Sequence, residues 1–156
     1  MLRPTDDIGK GRKIGGYLQK QRTQRGELVS YYFSKMLDVS FDEAVTKIIE
    51  ALKKEGFGVL TQINVKETLK KKLDVEFRNY RILGACNPPF AYQALQAEDK
   101  IGTMLPCNVV VQDNPEGKVE VAAVDPVASM RAIDNPKLRD IAGQVRAKLK
   151  SVVDGL

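Results

Sequence analysis

Apolar and polar positions change their spacing several times along the chain, and each change marks an element. Leu28 to Leu37 is rich in Val, Tyr and Phe and predicts a strand. Ser40-Phe41-Asp42-Glu43 has the order of a capping box, and Phe41, Ala44, Val45, Ile48, Ile49 and Leu52 follow at helical spacing. Gly56 stands where a glycine closes a helix. Phe57 to Ile63 returns to strand character, and Asn64 with Glu67 opens a short helix through Leu73. In Tyr80 to Asn87, alternation puts Tyr80, Ile82, Gly84 and Cys86 on one face and Arg81, Leu83 and Ala85 on the other. Pro88-Pro89 ends that strand, and Pro89 opens a short helix through Gln96. Leu105 to Val111 is a strand with Cys107, Val109 and Val111 on one face, Asn114-Pro115-Glu116-Gly117 is a hairpin turn, and Val119 to Val124 pairs back. Asp134-Asn135-Pro136 starts a long C-terminal helix with a stripe of Leu138, Ile141, Ala142, Val145, Leu149 and Val152.

Two long amphipathic helices must bury their stripes on something. A mostly antiparallel sheet with both helices on one face does this most economically, so the expected class is α+β, with short helices between strands. The 156 residues amount to one domain, read as 28–156 behind an arm of residues 1–27. The arm has no sustained apolar periodicity and is punctuated by Gly9, Gly11, Gly15, Gly16 and Gly26, so it is read as disordered or loosely attached. It holds seven Lys/Arg against three acids, net +4, which leaves 18 bases and 17 acids, net +1, for the rest. The basic excess therefore describes the arm, either a solubilising extension or a contact for nucleic acid or another anionic surface. A nearly neutral folded part argues against nucleic-acid binding.

Composition excludes several chemistries. No histidine is present, which removes the commonest general base, the Ser-His and Cys-His pairs and every His-containing metal site. No apolar run approaches a membrane span, no secretory h-region appears, and two cysteines suit a reducing cytoplasm, where the protein is expected. Gly9-Lys10-Gly11 follows no strand and fails as a phosphate loop. No nucleophile elbow, paired-carboxylate signature or zinc spacing appears, and no enzyme class or cofactor can be named.

From Tyr31 to the C-terminal helix the sequence resembles a bacterial and archaeal family known as domain of unknown function 302. The resemblance rests on Ser40-Phe41-Asp42-Glu43-Ala44, Glu55-Gly56-Phe57-Gly58-Val59-Leu60 and Leu69-Lys70-Lys71-Lys72-Leu73. It is closest in Tyr80-Arg81-Ile82-Leu83-Gly84-Ala85-Cys86-Asn87-Pro88 and Leu105-Pro106-Cys107-Asn108-Val109-Val110-Val111. It implies a β-α-β4-α domain of the TATA-binding-protein-like fold and a homodimer, and brings no established activity. The arm lies outside the family pattern.

The candidate chemistry is sparse. Cys86 and Cys107 each precede an Asn and lie on predicted central strands; on neighbouring strands the two thiols could meet on one face. They pack as small apolar residues, line a small-ligand pocket, or serve redox or metal chemistry with four thiolates drawn from a dimer. Asn87 and Asn108 either cap strand ends or present donors and acceptors in a cleft. Lys70-Lys71-Lys72, with Arg78 and Arg81 beyond, is a solvated charge run or an anion site bordered by Tyr80 and Tyr92. Phe33, Phe41, Phe57, Phe77 and Phe90 read as core. The reading reached is a small dimeric binding domain whose cleft near Cys86, Asn87, Cys107 and Asn108 takes a small anionic ligand, with Lys71, Arg78, Tyr80 and Arg81 as further contacts. The alternatives are a thiol redox or metal-handling protein and a nucleic-acid-binding arm.

Overall fold

The computed structural model describes the backbone of residues 21–22 and 28–156, with side chains from Ser30 onward. The disordered reading of the arm otherwise falls outside the described residues. Within it, β1 (Gln21–Arg22) pairs antiparallel with β2 (Leu28–Val29), so the strand expected over Leu28 to Leu37 is broken in two. Ser30 marks the break: its hydroxyl donates to the Tyr32 carbonyl at 2.6 Å. The main sheet begins with β3 (Tyr32–Leu37).

Helix α1 (Phe41–Lys54) forms where the capping box predicts, with Ser40 Oγ accepting from the Glu43 amide at 3.2 Å. Gly56 closes it at φ 85°, a conformation that a side chain would strain. Then come β4 (Gly58–Asn64) and α2 (Val65–Leu73), the latter capped by Asn64. Next are β5 (Tyr80–Cys86), α3 (Pro88–Ala97) and a 3-10 turn over Asp99–Met104. The hairpin strands are β6 (Cys107–Asp113) and β7 (Val119–Val124). Asn114 Oδ1 accepts from the Glu116 amide at 2.8 Å, and Gly117 takes φ 77° to complete the turn between them. A short α4 (Pro126–Ser129), which periodicity did not reveal, precedes α5 (Pro136–Asp154).

The sheet order is β3-β7-β6-β5-β4, with every neighbouring pair antiparallel. Counted on the main sheet and the long helices, this is the expected β-α-β4-α order. Alternation directs Leu37, Leu83, Ala85, Cys107, Val109, Val111, Val119, Val121 and Ala123 to one face. All are buried in a single core cluster with the stripes of α1 and α5, so both long helices cover that face. A smaller cluster of Ala94, Ile101, Met130, Leu138 and Ala142 lies where α3, the 3-10 turn, α4 and α5 meet. Asp125 is the buried anchor between β7 and α4. Its Oδ1 accepts from the Val127 amide at 3.0 Å, and its Oδ2 from Arg146 Nε of α5 at 2.9 Å. The opposite sheet face carries Ile63, Ile82, Val110, Ala122 and Met36, none of them fully buried. No described helix is long and apolar enough to cross a membrane.

Candidate functional site

The strands that carry the two cysteines are neighbours, and the register decides what that means. Ala85 stands opposite Cys107, and Gly84 opposite Asn108. Alternation therefore sends Cys107 to the helix-covered face and Asn108, which is exposed, to the open face. Cys86, one position beyond Ala85, falls on the opposite parity from Cys107, so the two thiols do not share a face as expected. Both nevertheless border one cavity at the end of β5 and β6, because Cys86 is the last strand residue there.

That cavity is the seam between the two core clusters. Phe57, Ala85, Cys107 and Val145 line one side, and Ala94, Met130, Leu138 and Ala142 the other. Phe90, Leu105 and Pro106 complete an almost wholly apolar wall. Its free volume is about 30 Å³, room for roughly one or two waters. Anything larger needs the wall to move. In α3, which forms part of that wall, Ala94 is the one buried residue and Tyr92 and Leu95 are exposed, while Asn135 at the start of α5 donates from Nδ2 to the Ala97 carbonyl at 2.8 Å.

Asn87 is the polar group of the cavity, and it is buried. It occupies the N-cap position of α3, yet its side chain makes no capping bond. Pro88 and Pro89 remove the N1 and N2 amides, so of the usual donors to an N-cap oxygen only the Phe90 amide at N3 remains, and the Asn87 side chain does not take it. Its Nδ2 donates instead to the Glu55 carbonyl at 3.3 Å, tying α3 to the end of α1. Its Oδ1 has no hydrogen-bond donor among the described residues. A buried acceptor without a donor is costly and uncommon.

Burial holds both thiols protonated. Cys107 is pushed up to about 11 by burial, with the neighbouring Cys86 thiol adding to the rise, and Cys86 is raised by burial alone. A thiol raised in this way is a poor nucleophile and a poor metal ligand at neutral pH. Among the described residues no three His, Cys, Asp or Glu side chains converge as a metal site would require.

The basic residues expected at the site lie elsewhere. Arg78 donates from Nε (3.0 Å) and Nη2 (2.7 Å) to Gln112 Oε1, and its guanidinium lies 4.5 Å from the Phe77 ring and 5.3 Å from the Tyr80 ring. Arg78 and Tyr80 thus lie at the far end of β5 from Cys86, beside the open face. Arg81 has opposite parity to Tyr80 and stands over Phe41, its guanidinium 5.6 Å from that ring. Lys71 is exposed on α2. Its neighbour Lys70 bonds Asp74 at 2.7 Å and Glu76 at 2.8 Å, which raises the Lys70 ammonium above its ordinary value. The lysine run sits at the C-terminal end of its helix, where cations are favoured. The single expected cluster is therefore three separate places: the cavity with Cys86, Asn87 and Cys107; the open face with Asn108, Tyr80 and Arg78; and the α1 and α2 side with Arg81 and Lys71. Leu138, Ala142 and Val145 of the cavity wall were legible only as part of a core stripe, since periodicity does not show where two core clusters fail to close.

A sequence profile described as "Domain of unknown function DUF302" matches residues 33–156. The chain belongs to the DUF302 family. The crystal structure of an uncharacterized conserved DUF302 protein from Bacillus stearothermophilus is 29% identical, with a TM-score of 0.75 over 81% of this chain and 98% of that one. Among curated proteins none matches. The DUF302 match covers every element of the main sheet and both long helices, so sequence and fold agree on membership.

Proposed function

We propose that this DUF302 protein is a homodimeric binding domain that takes a small, largely apolar ligand in the cleft of Cys86, Asn87 and Cys107. One observation carries the reading: the side-chain amide oxygen of buried Asn87, without a donor among the described residues, at the edge of an otherwise apolar seam. A ligand with an apolar body and one N–H or O–H group matches that combination. The walls hold no cation, so the anionic ligand expected from sequence gains no support at this cleft. A buried Cys107 and a half-buried Cys86, both with thiol values raised by burial, favour a packing and lining role for the cysteines over redox chemistry.

For the dimer, the support is the open sheet face. Ile63, Ile82, Val110 and Ala122 form one row across four strands. Beside it runs a polar row in which Arg78 donates to Gln112, and Gln112 Nε2 donates to Glu120 Oε2 at 2.9 Å. That row is basic at one end and acidic at the other. A second copy, turned about a two-fold axis parallel to the central strand β6, brings Arg78 over the partner's Glu120 and lays the apolar rows together.

Native mass spectrometry of protein purified gently from its own host tests both parts. The expected result is twice the chain mass plus a retained small molecule. Ala91→Trp, which plugs the cleft mouth at a half-buried position, should lose that molecule. Val110→Lys should yield the monomer. Bare chains from every preparation would overturn the ligand, and a wild-type monomer at high concentration would overturn the dimer.

A further inference from the structure

A second concavity, of about 340 Å³, lies on the outer side of α5 and is lined by Ser30, Asp125, Ala128, Arg131, Gly143 and Arg146 among others. Its chemistry differs from that of the apolar cleft. Arg146 is held in place on two sides: its Nε is bonded to Asp125 Oδ2 at 2.9 Å, and its guanidinium lies 5.3 Å from the Phe33 ring. Asp125 is itself fixed, with Oδ1 taking the Val127 and Ala128 amides at 3.0 and 3.4 Å. The carboxylate is thus engaged on both oxygens, while the remaining N–H groups of Arg146 have no acceptor among the described residues. Arg131 has no ion-pair partner among those residues either. Two guanidiniums therefore border the concavity against one carboxylate that is already occupied.

Gly143 is the second clue. It is exposed in the interior of a 19-residue helix, and a Cβ built on it meets nothing within 4 Å. Packing does not require glycine there, and helix propensity disfavours it. Its effect is to leave the floor beneath the two arginines open.

We propose that this groove binds the oxyanion group, phosphate or carboxylate, of a small solute, with Arg146 as the pre-positioned fork and Arg131 closing from the other side. Guanidinium geometry suits paired hydrogen bonds to such groups, and a fork already held by Asp125 and Phe33 loses little freedom on binding. The site stands independently of the apolar cleft, and neither reading falls with the other.

The test is an amide-resolved NMR titration of the full chain with inorganic phosphate, and separately with succinate. Saturable millimolar shifts are expected at Ala128, Arg131 and Gly143. They should weaken by about tenfold or more in Arg131→Ala and in Gly143→Leu, and stay unchanged in Lys71→Ala. Arg131 and Gly143 are both exposed, so both variants should fold, as a thermal melt will verify. The stronger of the two probes identifies the oxyanion class. No saturable shift with either probe, or shifts that persist unaltered in Arg131→Ala and Gly143→Leu, would overturn the site.

Discussion

Gly84 is the residue whose identity the fold constrains most visibly. A Cβ there would collide with Thr61 Oγ1 and would stand 2.7 Å from Pro106 Cγ. Gly84→Ala should therefore destabilise by about 1–3 kcal/mol through overpacking, read as a shift in the urea midpoint with an unchanged slope. Cys107 makes a prediction about pH. Its ordinary value of 9.0 is raised to about 11 in the native state. Below the lower figure both native and unfolded chains keep the proton, and the contribution is fully present. Between the two the unfolded chain loses its proton and the native chain does not, so stability falls as pH rises. The loss should total about 2–3 kcal/mol, and Cys107→Ala should flatten most of that slope. Cys86 and Tyr32 are raised as well, so a smaller alkaline decline should survive in the variant. An identical slope in both proteins would show that the Cys107 thiol is more accessible to water than its burial implies. Fast alkylation of either thiol at neutral pH would say the same.

Among the elements, α1 and α5 contrast instructively. The α1 stripe ends at a glycine that the backbone needs, while α5 carries one that its packing does not. Gly143→Ala should stabilise the protein by about 0.5–1 kcal/mol, measured by reversible thermal or chemical denaturation. A destabilised variant would mean that something packs over that turn. Helix α3 is the reverse case. Its two prolines define its start and leave the Phe90 amide as the one usual donor to Asn87, which the Asn87 side chain does not take. The helix is anchored by buried Ala94, by partly buried Phe90 and by two side-chain bonds, Asn87 to the Glu55 carbonyl and Asn135 to the Ala97 carbonyl. Strand β4 carries a register shift between Val59 and Thr61, which leaves Leu60 outside the ladder and exposed. Alternation along Phe57 to Ile63 could not reveal that shift, because one extra residue is invisible until the partner strand is in place.

At the scale of the whole molecule, both core clusters, among the described residues, draw on residues from Phe33 onward. Removing residues 1–26 should then change stability by no more than about 0.5 kcal/mol, although it takes away the Gln21–Arg22 partner of Leu28–Val29. A loss above about 2 kcal/mol would mean that the arm packs on the folded part. The class, the order of elements and the composition of the core were legible in the sequence, because capping chemistry and apolar period are local: Ser40 with Glu43, Asn64 with Glu67, and the α5 stripe each act within a few residues. Two features were not local. Ala85 opposite Cys107 is a matter of register, and register alone separated the thiols onto opposite faces and carried Asn108 away from Asn87. The grouping of Arg131, Gly143 and Arg146 around Asp125 depends on how α4 meets α5, a contact that no spacing within either helix encodes. Period and capping determined what each segment is. Only the pairing of strands and the docking of helices decided which side chains share a cavity, since those distances are set by residues far apart in the chain.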